Sequence, residues 1–532
     1  MMKLHTLSSL CLVSMLALNA CVKSVDPAPK PDPNPNPDGV ITYDDLKVNS
    51  FMLRPENNER IFGALIFNAD ATGMQWSGQI DHYKTDLSKL KITFDVVATK
   101  VTVGDAVQES GITANNFTTP VTYRLYADDG RYKEYTVTLT AGKATGFPIL
   151  AIMTENEKPV TSREDWVKGR MVLDKQLGDC EELVVDMEIK GRGHNSWSKD
   201  KKPYAIKLAA KSPVMGMNKH KRWVLLANAS DRTLLRNRVA FEIGRHTGLA
   251  WTPDSRYVDV ILNGKFLGSY LLCEHIRVDK NRVNITEMSS TDQSGEALTG
   301  GYLLECDRYY DDINKFRTHR RDLPINIKEP DEDVLTATQK SYITDYVNHI
   351  EELLYANATA DPHYADFIDV DSFIDWWIVC ELAHNRDIRL PGSCHMYKDR
   401  SGKLFAGPLW DFDLATFISS SSFLLMDYEI SDFSDPHGDR SLWYKRLFSD
   451  PTFRARAKER WQALKPAFDG IPAFIDAEAA KLQVSATSNW ELWTLTAGMN
   501  QDELLPWSEA VTRMKNNYTA RLRWMDGEMS KL

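Results

Sequence analysis

The sequence predicts a multidomain protein, an all-β sandwich followed by a larger α+β unit. Three observations predict it. The chain has 532 residues, too many for one hydrophobic core. From about Ile41 to Leu139, apolar and polar residues alternate in short runs such as Leu90-Lys91-Ile92-Thr93-Phe94-Asp95-Val96 and Tyr135-Thr136-Val137-Thr138-Leu139. That is the period of half-buried strands. From about Phe147 onward, strand-like runs mix with apolar stretches at helical spacing.

The N-terminus is read separately. Lys3, an apolar run and small residues before Cys21 form an export signal, residues 1–21, outside the fold. Leu18-Asn19-Ala20-Cys21 resembles a bacterial lipobox, with Asn19 a less usual occupant of its position. The resemblance implies that Cys21 carries lipid, which anchors a chain to one leaflet without spanning it. Residues 22–40 are a tether, because the Pro/Asp/Asn tract from Val25 to Gly39 cannot bury a core. The expected place is the cell envelope, as an outer-membrane lipoprotein facing the periplasm or the surface. Beyond residue 21 no stretch is long and apolar enough to span a bilayer.

Composition narrows the function. Hydrophobic residues at 43% and charged residues at 26% are ordinary globular proportions. A net charge of −10 argues against general nucleic-acid affinity. Cys180, Cys273, Cys306, Cys380 and Cys394 have no CxxC spacing and read as buried small hydrophobes.

Residues 41–142 form the β unit. Asp128-Asp129-Gly130 between Val121–Tyr126 and Tyr132–Leu139 reads as a hairpin turn. The unit resembles the bacterial immunoglobulin-like modules at the front of exported Bacteroidetes-type proteins, which implies a spacer or docking role. No residue in it is a catalytic candidate.

Residues 147–532 form the α+β unit. Strands are expected at Pro148–Met153, Leu183–Ile189, Tyr204–Leu208, Trp223–Leu226, Tyr257–Leu262, Gly268–Glu274 and Tyr302–Glu305. Helices are expected at Leu234–Thr247, Gln339–Tyr355 and Val370–His384, with Asp371 a candidate cap, and in a series from Leu442 onward.

Four segments carry candidate chemistry. Gly407-Pro408-Leu409-Trp410-Asp411-Phe412-Asp413 follows the strand-like Lys403–Ala406 and places two carboxylates at a strand end, oxygen ligands for a divalent cation. Gly191-Arg192-Gly193-His194-Asn195-Ser196-Trp197 leads through Lys199, Lys201 and Lys202 into Tyr204–Leu208. Its glycines allow close backbone approach to phosphate. Lys207 lies on the strand face opposite Tyr204, Ile206 and Leu208, a cation placed to neutralise phosphates. Arg238 and Glu242, four apart on a helix, are either a surface ion pair or a device that positions Lys207. His384-Asn385-Arg386-Asp387 ends an apolar helix and is either a catalytic loop or a helix C-terminus.

These segments, together with Asn263–Glu274, Gly300–Glu305 and Tyr397-Lys398-Asp399, resemble the spore-coat protein H (CotH) kinase-like family from about Phe147 to the C-terminus. The resemblance implies an atypical protein-kinase-like fold that uses ATP and Mg²⁺, or Mn²⁺, to phosphorylate Ser or Thr in exported proteins. Under it, Lys207 contacts the nucleotide phosphates with Arg192 and Lys202, Asp387 is the catalytic-loop acid, and Asp411 binds Mg²⁺ with Asp413 assisting. Glu242 and Glu274 are both candidate partners of Lys207. The chain departs from the kinase pattern in lacking a full GxGxxG loop. Gly392 also stands where a kinase places the Asn that holds a second metal.

Two other readings compete. One is an inactive kinase-like surface module binding a protein or glycan, with Trp376, Trp377, Trp443, Trp461, Trp490 and Trp493 as a stacking platform. The other is a metal-dependent hydrolase using Asp411 and Asp413.

Overall fold

The computed structural model describes residues 39–142, 144–176, 180–388, 391–418, 424 and 442–532. The export signal, Cys21 and the tether up to residue 38 lie outside the described residues.

The first unit is two sheets over one core. A four-stranded sheet carries Lys47–Leu53 and Leu90–Val97, and a six-stranded sheet carries Gln75–Ile80, Tyr132–Ala141 and Val121–Tyr126. Alternation sets what faces inward: Phe51 meets Trp76 at 5.4 Å and Tyr123 at 5.1 Å between ring centres. The expected hairpin is present, with Val121–Tyr126 antiparallel to Tyr132–Ala141 and the Gly130 N–H donating to the Ala127 carbonyl at 3.0 Å.

The second unit begins with a closed seven-stranded barrel. Its strands run Ile149–Thr154, Val167–Asp174, Leu183–Gly191, Tyr204–Val214, Met217–Leu226, Lys265–Glu274 and Ser255–Leu262 around the wall. Every seam is antiparallel except the last, where Ser255–Leu262 runs parallel to Ile149–Thr154 and closes the barrel. Closure leaves no open edge. Ile189, Tyr204, Ile206, Leu208, Trp223 and Leu225 belong to one buried cluster. The strands foreseen in sequence are all present, most of them longer at one end.

The rest is helical around a five-stranded sheet in the order Lys315–Arg317, Pro324–Glu329, Tyr302–Cys306, Cys394–Lys398 and Leu404–Ala406. The helix Val370–Ala383 is buried on all sides from Ser372 to Ala383, the pattern of a helix within a large core. Its cap differs from expectation. The Asp369 carboxylate accepts from the Ser372 N–H at 2.9 Å, whereas Asp371 sits in the first turn and pairs with Arg456 at 2.6 Å. Helices Pro451–Phe468, Ile471–Leu492 and Trp507–Met529 complete the chain. Among the described residues no helix is long and apolar enough to cross a membrane.

The tryptophan platform is not formed. Trp376, Trp377, Trp443 and Trp461 are buried, and Trp490 and Trp493 are half-buried with their indole N–H groups donating to the carbonyls of Arg232 and Leu267. Their large apolar area is spent in packing. Cys273, Cys306, Cys380 and Cys394 are free and buried, and Cys180 is partly exposed.

Candidate active site

Barrel and helical part face each other across a cavity of about 750 Å³. Its lining includes Arg192–Ser196, Asn228, Asn237, Glu305, Asp307, Arg308, Lys328, Asp387, Gly392, Trp410, Asp411 and Asp413.

Asp411 and Asp413 reach it through a built turn. After the strand Leu404–Ala406 the backbone takes a left-handed conformation at Asp411, φ 63°, a geometry that a short polar side chain tolerates better than most. Phe412 is buried, and its N–H donates to Asn237 Oδ1 at 2.8 Å. Asn237 is fixed in turn by donating from Nδ2 to Asn228 Oδ1 at 3.0 Å. Asn500 Nδ2 donates to the Asp413 carbonyl at 2.9 Å. A buried Phe between two acids therefore sets both carboxyls toward the cavity. Burial, and then the Asp411 charge beside it, hold Asp413 well above the usual carboxylate range.

Asp387 reaches the cavity from a different element. Helix Val370–Ala383 ends at His384 in the left-handed conformation, φ 54°. The Asn385 N–H returns to the Cys380 carbonyl at 2.8 Å, a left-handed cap that terminates the helix. The segment is therefore a helix C-terminus, and it brings Asp387 to the cavity. Asn385 Oδ1 accepts from the Asp387 N–H at 2.9 Å. Burial and the Asp411 charge push Asp387 up to about 7, against the opposing pull of Arg308 at 3.4 Å.

Arg192 leaves the barrel at the glycine turn and places its guanidinium 5.4 Å from the centre of the Trp410 ring. Burial lowers its pKa, while Asp411, Asp413 and Glu305 act to raise it. Across the cavity mouth, His194 Nε2 stands 2.5 Å from Asp311 Oδ2, with its ring stacked on Tyr309 at 4.5 Å.

The structure does not bring four of the sequence candidates to this cavity. Lys207 lies opposite Glu188 in the strand pairing and binds it at 3.0 Å, 39% exposed. The alternation read in the sequence is right, with the opposite face packed, and Lys207 on the partly exposed face does not line the cavity. Lys202 Nζ donates to the Trp197 carbonyl at 2.9 Å. Glu242 pairs with Arg245 at 3.2 Å, while Arg238 pairs with Glu478, so the expected Arg238–Glu242 pair is not formed. Glu274 is buried and accepts from Trp251 Nε1 at 3.2 Å and the Asp254 N–H at 3.0 Å.

Conversely, Glu305, Asp307, Arg308 and Lys328 line the cavity without having been singled out for chemistry. Lys328 joins Glu305 and Asp312 at 3.4 and 2.7 Å. Asp307 accepts from the N–H groups of Tyr309 and Ser393, both at 2.8 Å. Their only sequence signal was an acid closing the apolar run Tyr302–Leu304.

Among the described residues no group of three or more His, Cys, Asp or Glu is arranged to hold a metal ion by itself. Mg²⁺ does not need such a group, since it commonly takes one or two carboxylates and completes its shell with water and phosphate oxygens. Asp411 and Asp413, close enough to share a hydrogen bond, are oxygen donors whose mutual repulsion a divalent cation relieves. The residues present fit Mg²⁺ or Mn²⁺.

Fold and cavity thus define a two-lobed protein with a charged, ligand-sized cleft between a barrel and a helical lobe. The family model described as CotH kinase protein matches residues 188–525, more than half of the chain, and the chain belongs to that family. The model described as SGBP, N-terminal, matches residues 80–139, inside the all-β unit. A solved structure of a Bacteroides fragilis protein, described as secreted, aligns at 20% identity over 19% of this chain and 98% of its own, with a TM-score of 0.14. No curated protein matches.

Proposed function

We propose that this CotH-family protein is an envelope-anchored kinase that moves a phosphoryl group from an Mg²⁺-nucleotide to a Ser or Thr hydroxyl of an exported protein. The observation that carries the reading is the meeting of Asp387, Asp411, Asp413 and Arg192 in one cavity, from elements far apart in sequence. Asp411 and Asp413 would hold the cation, which would supply charge neutralisation on the phosphates. Arg192 meets phosphate oxygens as a fixed fork of donors. Asp387 accepts the proton of the attacking hydroxyl as the new O–P bond forms. The bond from the transferred phosphorus to its bridging oxygen breaks, and the nucleoside diphosphate leaves with that electron pair. A carboxyl poised near neutral pH suits that proton transfer.

The all-β unit is proposed to be an immunoglobulin-like spacer, and Cys21 the lipid anchor. The match of residues 80–139 supports a Bacteroidetes-type envelope setting.

Calorimetric titration of the chain with ATP, with and without Mg²⁺ or Mn²⁺, tests the reading. Metal-dependent binding that disappears in Asp411→Ala supports it. Binding that ignores both the metal and this substitution refutes it.

A further inference from the structure

The catalytic loop raises a specific problem. A protein kinase supports phosphoryl transfer with two cations, the second held by an Asn five residues after the catalytic Asp. Here that position is Gly392. The structure shows what fills the space instead. A Cβ built on Gly392 would lie 2.9 Å from Arg308 Nη1 and 3.3 Å from Asp387 Oδ1, so any side chain there meets a guanidinium already in place. Arg308 comes from a different element, just past the strand Tyr302–Cys306. Its Nη1 stands 3.4 Å from Asp387 Oδ1, and its guanidinium lies 5.4 Å from the centre of the Tyr309 ring. It lines the same cavity as Asp411.

We propose that Arg308 is a fixed cation in place of the second metal ion, and that the loss of a ligand at Gly392 and the presence of Arg308 are two halves of one arrangement. The inference rests on the proposed nucleotide site.

Physical chemistry makes the exchange workable. An arginine stays protonated throughout the accessible pH range and presents planar donors that suit phosphate oxygens. A metal ion at that place needs anionic or carbonyl ligands, and a residue without a side chain offers none. The same guanidinium beside Asp387 would also repel a cation approaching from that side. The site then needs one divalent ion per nucleotide, held on the Asp411–Asp413 side.

The test counts cations. Electron paramagnetic resonance with Mn²⁺, at saturating non-hydrolysable ATP analogue, reads bound Mn²⁺ per chain for the full protein. The expected count is one. The double variant Gly392→Asn, Arg308→Ala restores the ligand and removes the competing charge, and its expected count is two. Arg308→Lys keeps the charge and is expected to remain at one, which separates loss of charge from simple disturbance of the loop. Two Mn²⁺ ions in the unaltered protein would overturn the proposal while leaving the nucleotide reading intact. A double variant that binds the analogue but stays at one ion overturns it equally. Failure of the unaltered protein to bind the analogue at all would remove both.

Discussion

Asp387 and Asp411 meet in the cavity from two different elements, and the charge of Asp411 adds to burial in pushing Asp387 up to about 7. One acid ends a helix by way of a left-handed His384, and the other follows a strand by way of a left-handed backbone of its own. Two chain reversals therefore produce one electrostatic unit. Two like charges held together in a partly dry site are unfavourable to folding and useful to a ligand that brings a cation.

The stability cost has a pH signature. An ordinary unfolded Asp titrates near 3.9, while Asp387 titrates near 7 in the folded chain. Between those values the folded state keeps a proton that the unfolded state has released. Stability therefore falls as pH rises through that window, and the penalty is complete above it. Asp387→Asn removes the titration and retains an oxygen to face Arg308. Its advantage over the unaltered chain should be near zero below pH 4 and grow to roughly 1–3 kcal/mol by pH 8. Thermal unfolding across that range, without divalent ions, measures it. A difference independent of pH would show that Asp387 does not titrate as described.

The placement of the two basic candidates makes a sharper prediction for binding. Arg192 faces Asp411 and Asp413 beside Trp410, whereas Lys207 is paired with Glu188 and does not line the cavity. Arg192→Ala should weaken Mg²⁺-nucleotide binding by about tenfold or more, the worth of a charge-assisted contact. Lys207→Ala should change it by less than about twofold, as expected of an exposed pair. The reverse ranking in calorimetric titration would mean that nucleotide phosphates sit elsewhere.

Much of this was legible in the sequence, for reasons that also explain the remainder. Strand alternation identified the two faces of Tyr204–Leu208 correctly, because a period of two survives any tertiary context. It did not say where on the barrel the cavity would open, because that depends on closure of Ile149–Thr154 against Ser255–Leu262, a pairing a hundred or so residues apart. Asp387, Asp411 and Asp413 stood out because each follows the end of an element, where backbone geometry aims a side chain. Arg308 and Asp307 did not, since a charged pair after a strand is common and only the fold places it beside Gly392. Asp371 reads as a cap because it is an acid at the start of an apolar helix, but the helix begins one residue earlier, at Val370, so the cap position falls on Asp369.

Arg236 shows how firmly the site is supported from beneath. It is buried and paired with Asp231 and, at 2.6 Å, with Asp502, and its Nε donates to the Thr416 carbonyl at 3.0 Å. That carbonyl belongs to the turn that carries Asp411 and Asp413. Arg236→Leu leaves two buried carboxylates facing each other and should cost about 3–5 kcal/mol. Urea unfolding should show the loss, and the double variant Arg236→Leu, Asp502→Leu should recover part of it. If the double variant is no better than the single one, the lost energy came from packing and not from the orphaned charge.

The all-β unit is joined to the barrel more closely than a spacer on a flexible linker would be. Ile149, Ala151, Ile261 and Phe266 of the barrel belong to the same buried cluster as Phe51, Ile80 and Phe62. His82 stacks on Phe266 at 3.7 Å, and Arg60 bridges to Asp174 at 2.7 Å. At the centre of the contact Gly63 lies against Gly264, where a Cβ on Gly63 would stand 2.0 Å from Gly264 Cα. No side-chain rearrangement relieves an overlap with backbone. Gly63→Ala must separate the two units and should destabilise the protein by roughly 2–4 kcal/mol. Because the core is shared, scanning calorimetry should show one transition for the unaltered chain and two for the variant. One unshifted transition in the variant would mean that the contact adds nothing to the coupling of the two units. If the coupling holds, a partner or membrane that fixes the β unit also fixes the direction in which the cavity opens.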